Sequence, residues 1–154
     1  MSLVDDTATR RDFLALSATG LAACTLAPAA ALATADQVAA EIKKLFGDKK
    51  LLDGKIKLDL PTIAENGLVV PLAFEVESPM TDKDYVKAIH FFAEGNPNPG
   101  VAAFQFTTMS PKAAGAIRIR LAQTQNIVAV AEFSNGEVYR VAKEVKVTIG
   151  GCGG

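Results

Sequence analysis

Five residues concentrate the reactive chemistry of this sequence: Gly150, Gly151, Cys152, Gly153 and Gly154. A thiol between two glycine pairs has no adjacent side chain to act as its base and no bulk around it. Glycine lacks a Cβ and reaches backbone angles closed to other residues, so the segment is expected to be disordered when free. At about 3.3–3.6 Å per extended residue, three residues carry the sulfur roughly 10 Å past the element that precedes them. Such an arm enters a narrow cleft that a rigid surface cannot. A catalytic cysteine needs the opposite, a fixed pocket with a base or a helix N-terminus that lowers its pKa. Here Lys143 and Lys146 lie back along the preceding segment, and a terminal carboxylate opposes thiolate formation. The pattern suits a group carrier with no catalytic residue of its own, which presents one covalent cargo to several enzymes and is activated by them. Two plainer readings compete: a disordered end with an incidental cysteine, and an anchor for an intermolecular disulfide in an exported structural sandwich.

The rest of the composition narrows the field by exclusion. Lys and Arg total 16 against 17 Asp and Glu, a balance that argues against a sequence-independent nucleic-acid binder. Aromatic residues make up 6% with no Trp, too few for a base-stacking platform. One His and two Cys leave almost nothing for a metal site built from protein ligands, and no cofactor is expected. A blue-copper arrangement of His90, Cys152 and a Met fails because it needs two histidines around a rigidly held cysteine.

Residues 1–33 read as an export signal. Thr9-Arg10-Arg11-Asp12-Phe13-Leu14 carries a twin-arginine pair, Leu14 to Ala33 has no charge, and Ala31-Leu32-Ala33 supplies a small-x-small exit. The stretch is only weakly apolar, which suits the twin-arginine route and argues against stable membrane insertion. The expected location is the periplasm. Leu21-Ala22-Ala23-Cys24 offers a competing lipoprotein-type box, but the apolar run continues past Cys24 to the second exit. After cleavage, Cys152 is the sole cysteine and has no internal disulfide partner.

Residues 34–149 must then position the thiol, with residues 150–154 as the arm. Val38, Ile42, Leu45 and Phe46 fall at helical spacing, with Asp36 placed to cap, Lys43 and Lys44 in the last turn and Gly47 as a stop, giving one short helix over 36–46. Beyond it the period switches to two. Strands are expected over 55–60, 70–76, 86–93, 101–107, 116–121, 127–133 and 138–149, with turns at Asn66-Gly67 and Ser134-Asn135-Gly136. The run Ile127–Ala131 is apolar on both faces, as a central strand should be. Seven short strands broken by Gly, Pro and Asn favour an all-β, immunoglobulin-like sandwich with a short N-terminal helix, lacking the antibody-type Cys–Trp–Cys core. On strand alternation His90 shares a face with Val86, Ala88 and Phe92, a structural position. Arg118 and Arg120 fall on a solvated sheet face, or alternatively receive an acidic partner. Met80 and Met109 read as loop or interface residues.

Several stretches together resemble SoxY, the carrier subunit of bacterial thiosulfate oxidation. They are the terminal Gly150–Gly154 motif with Val145–Ile149 before it, the run from Ile56 to Gly67, Glu77–Met80, and Val86–Glu94. The resemblance implies an immunoglobulin-like fold, a SoxZ subunit as stable partner, and Cys152 as the attachment residue. It further implies that a haem c protein pair loads thiosulfate to give a cysteine S-thiosulfonate. A hydrolase would then release sulfate, and a sulfane dehydrogenase would oxidise the remaining sulfur. By the same resemblance Gly150, Gly151, Gly153 and Gly154 are the arm's flexible setting.

Overall fold

The computed structural model describes residues 33–150. Among these residues there is one helix, α1 (Ala35–Phe46), which starts at Thr34, whose hydroxyl accepts from the Gln37 backbone N–H while the Gln37 side chain accepts from the Thr34 N–H. Thr34 therefore caps the helix in place of the expected Asp36, which lies in the first turn, where its charge still complements the helix dipole. Gly47 ends it with φ 69° and donates its N–H to the Lys43 carbonyl. Val38, Ile42 and Phe46 are buried, whereas Leu45 is half-exposed on the flank of the apolar stripe.

Nine strands follow among the described residues: β1 (Leu51–Asp53), β2 (Ile56–Asp59), β3 (Ile63–Asn66), β4 (Val70–Val76), β5 (Val86–Ala93), β6 (Gly100–Gln105), β7 (Ala113–Ile119), β8 (Gln125–Phe133) and β9 (Val138–Ile149). The larger sheet runs β1-β9-β8-β5-β6, with β3 also on β9, and the smaller runs β2-β4-β7. This is the expected two-sheet, immunoglobulin-like sandwich with a short helix. The two strands beyond the expected seven, β1 and β3, are three and four residues long. They pair in parallel with successive stretches of β9, Leu51–Asp53 against Val138–Arg140 and Ile63–Asn66 against Lys146–Ile149. Segments so short carry no readable alternation; the edge of β9 makes them strands.

β8 is central, as its doubly apolar run required, between β9 and β5. One face of this sheet meets the smaller sheet, where Phe74 lies 5.0 Å from both Phe91 and Phe104 between ring centroids. The other face is covered by α1, with Val38, Ile42 and Phe46 over Phe92, Val128, Val130 and Val138. The sandwich thus has two apolar layers sharing one sheet. No helix among the described residues is long and apolar enough to cross a membrane.

A register shift between Val86 and Ala88 on β8 corrects the expected face of His90. The extra residue reverses the side-chain alternation. Val86 consequently joins Ile89, Phe91 and Ala93 in the inter-sheet core, while His90 keeps Ala88 and Phe92 as its face-mates. Both methionines lie in loops, as expected; Met80 is buried against the core at φ 50°, and Met109 is exposed.

Phe91 sits at the centre of the inter-sheet aromatic cluster, 1% exposed. Phe91→Ala is expected to lower unfolding stability by about 3–5 kcal/mol, read from urea titrations. A loss below about 1 kcal/mol would show that the cluster does not hold the sheets together.

Candidate functional site

Cys152, with Gly151, Gly153 and Gly154, lies outside the described residues, as do residues 1–32 of the expected export signal. Ala33, at the end of that segment, is described: it is buried and donates its N–H to the Asn96 carbonyl at 2.7 Å. The site is therefore built up to Gly150, the residue from which the thiol-bearing segment leaves.

The end of β9 is tied on both sides. On one side β3 runs beside it, with the Lys146 N–H on the Thr62 carbonyl at 3.0 Å and the Gly67 N–H on the Ile149 carbonyl at 2.8 Å. The Thr148 hydroxyl donates towards the Ala64 and Glu65 carbonyls, at 3.3 and 3.1 Å. On the other side, beyond the end of β8, Thr124 replaces a strand. Its hydroxyl accepts the Val147 N–H at 2.9 Å and lies 3.5 Å from the Val147 carbonyl oxygen. The Asn66-Gly67 turn, expected from the sequence, has its own fastening, since the Asn66 side-chain oxygen accepts the Leu68 N–H. Gly67 also links the two flanks, because its carbonyl accepts the Leu121 N–H at 2.8 Å.

The β7–β8 loop that carries Leu121, Ala122 and Thr124 is held from below by two buried amides. Asn96 donates to the Arg120 carbonyl and accepts from both the Ala122 N–H and the Gln125 side chain. Gln125 accepts the Gly95 N–H at 2.7 Å and donates to the Gln123 carbonyl. Both residues are 6% exposed, and buried amides with partners throughout fix a loop because any movement strands a polar group. The loop brings the Ala122 carbonyl against Gly150, where a Cβ would fall inside the van der Waals radius of that oxygen. Gly150 is thus required for its missing side chain, at a backbone angle outside the left-handed region.

Sequence reasoning singled out Cys152 and its glycines, of which Gly150 alone is described, and it missed Asn96, Gln125, Thr124 and the Ala122 contact. Nothing in Gly-Asn-Pro-Asn-Pro or in Gln-Thr-Gln distinguishes an amide that locks a loop from one that faces water. Of the two expected sheet-face arginines, Arg118 lies on the outer face of the smaller sheet opposite Pro71. Arg120 does not, because β7 ends at Ile119 and Arg120 opens the loop, its backbone carbonyl bonded to Asn96.

His90 is half-buried under α1, edge-on to Phe46 at 5.4 Å and stacked over Phe92 at 6.4 Å. Burial lowers its pKa, partly offset by the Glu132 carboxylate. This is a packing position far in sequence and register from the end of β9. Among the described residues no group of three or more His, Cys, Asp or Glu stands close enough to hold a metal ion.

The family model described as sulfur oxidation protein SoxY matches residues 42–152, ending on Cys152, and the chain belongs to the SoxY family. It is 33% identical to the sulfur carrier protein SoxY from Chlorobium limicola f thiosulfatophilum, over 75% of this chain and 100% of that chain, with a TM-score of 0.63. A superoxide reductase (neelaredoxin) from Ignicoccus hospitalis matches at 19% identity over 75% of this chain and 94% of its own, with a TM-score of 0.53; that likeness concerns the fold alone. No curated protein sequence matches the chain.

Two measurements probe this geometry. Gly150→Ala should push the chain off the Ala122 carbonyl and raise amide exchange at Gly67 roughly five- to tenfold, the worth of about 1 kcal/mol of hydrogen bond. Thr124→Val should do the same at Val147, and unchanged exchange in both would show that the end of β9 is not set by these contacts. For His90, the folded chain holds its proton less tightly than the unfolded chain. The stability linked to this group is therefore fully present above pH 6.5 and is lost as the pH falls below that value. His90→Gln should flatten the melting temperature between pH 7 and 5, and an equally steep acid slope in the variant would locate the titrating group elsewhere.

Proposed function

We propose that this protein is a carrier in bacterial thiosulfate oxidation, holding sulfur compounds covalently on Cys152 and presenting them to partner enzymes. The observation that carries the reading is that β9 stays bonded up to Ile149, only three residues before a cysteine set between glycines. Membership of the SoxY family and the relative described as a sulfur carrier support it.

In the loading step the Cys152 thiol and thiosulfate form an S–S bond. The product is Cys-S-S-SO3⁻, with release of one proton and of two electrons to the haem c enzyme that catalyses the step. Addition of water then cleaves the bond between the sulfane sulfur and the sulfonate, leaving a cysteine persulfide and hydrogen sulfate with no change of electron count. A sulfane dehydrogenase would oxidise the persulfide sulfur where one is present. The protein's own part is to keep the thiol attached and accessible throughout, so it catalyses none of these steps. A SoxZ-like subunit is the stable partner, and the twin-arginine pattern at Arg10-Arg11 supports a periplasmic location.

Intact-mass analysis of the protein from cells grown on thiosulfate tests this directly. The expected result is a species enlarged by S2O3 or by sulfur atoms on the peptide containing Cys152, absent from Cys152→Ser. A wild-type protein carrying only a free thiol, or only a disulfide between two copies, would overturn the carrier reading. The same spectrum reports the mature N-terminus.

A further inference from the structure

Several bonds of the export segment follow a small-x-small triplet. Ala31-Leu32-Ala33 sets a cut before Thr34, Ala29-Ala30-Ala31 a cut before Leu32, and Ala27-Pro28-Ala29 a cut before Ala30. A peptidase needs the chain around its bond exposed and free to extend, with the two small side chains of the triplet in its own pockets. The folded protein does not offer the Ala33–Thr34 bond in that form. Ala33 is 2% exposed, so its methyl group is already packed inside the domain. Its N–H donates to the Asn96 carbonyl at 2.7 Å. Thr34, across the bond, is the cap of α1: its N–H donates to the Gln37 side-chain oxygen at 3.1 Å, and its carbonyl accepts the Val38 N–H at 3.0 Å. A cut there requires the first turn of α1 and the Asn96 contact to open together, and cleavage is slowed by the scarcity of that open form.

The products of the alternative cuts differ in the same direction. A cut after Ala33 turns the Thr34 nitrogen into an ammonium at the N-terminal end of α1, where the helix dipole already concentrates positive charge. It also strips the Asn96 carbonyl of its donor, in a residue only 6% exposed. Asn96 is the residue whose side chain fixes Arg120 and Ala122, so the loss falls on the loop that bears on Gly150. A cut before Leu32 does neither, since it keeps Ala33 and sets the new ammonium two residues ahead of the cap. We infer that the export peptidase cuts upstream of Ala33, with Ala31–Leu32 the nearest permitted bond, and that Ala33 is a residue of the mature protein, tying its N-terminus to the Asn96 loop. Cleavage there presupposes the export reading, in which the twin-arginine route carries a chain that has already folded, and it assigns the bond that the export reading alone leaves open.

The test is the N-terminal peptide mass of the full-length protein after export by its own cells. The expected mature chain begins at Leu32, heavier than a Thr34 start by one Leu and one Ala residue, or at Ala30, which also keeps Ala33. A mature chain beginning at Thr34 overturns the inference and leaves the export reading intact. Leu32→Pro supplies a second arm. Proline directly after the cut removes an N–H and fixes the backbone there, which withholds the Ala31–Leu32 bond while Ala31 and Ala33 stay small. The expected result is accumulated precursor or a chain beginning at Ala30, and processing of this variant to Thr34 overturns the inference as well. A wild-type chain left uncut, or one beginning at a lipid-bearing Cys24, removes the reading of residues 1–33 as a cleaved twin-arginine signal and the inference with it.

Discussion

β9 is hydrogen-bonded along both edges, and the placement of Gly150 depends on that. A sheet's last strand ordinarily frays over its final residues, because one edge is open and each terminal bond stands alone. Here β8 pairs with one edge through Val145, while β1 and then β3 occupy the other. Where β8 gives out, Thr124 supplies a donor and an acceptor in its place. The order of the sandwich thus continues to Ile149.

The helix and the smaller sheet divide the task of stabilising this platform. Because the larger sheet is covered on both faces, β8 buries nearly every side chain, and the sheet cannot bend without opening one of two packed layers. The polar end of the molecule is built differently. There Asn96 and Gln125 replace apolar packing, and the geometry around Gly150 comes from amides whose partners are almost all backbone groups. Such a network is specific in position because each lost bond exposes a buried polar group with no water to replace the partner.

The long strands, the helix and the central place of β8 were legible in the sequence because each writes a period or a doubly apolar run over five or more residues. Cys152, the expected attachment residue, stood out by residue type and glycine neighbours alone, and it lies outside the described residues. What was hidden depends on contacts between distant segments. β1 and β3 are strands because β9 offers them an edge. The Lys87 bulge silently puts Val86 on the opposite face from His90, since one inserted residue leaves composition untouched. Thr34 took the cap from Asp36 through its reciprocal bond with Gln37, a Thr-x-x-Gln pattern that was present in the sequence and went unread. Asn96 and Gln125 gave no signal, because their roles are defined by partners 24 to 30 residues away in sequence, the Arg120 carbonyl and Ala122 N–H for Asn96 and the Gly95 N–H and Asn96 side chain for Gln125.

The direction of β9 has a mechanical consequence. Force applied at its end acts along the strand axis, while the backbone bonds to β8 run across that axis. Tension is therefore shared by many bonds strained sideways together, in the manner of a lap joint, and does not open them one after another like a zipper.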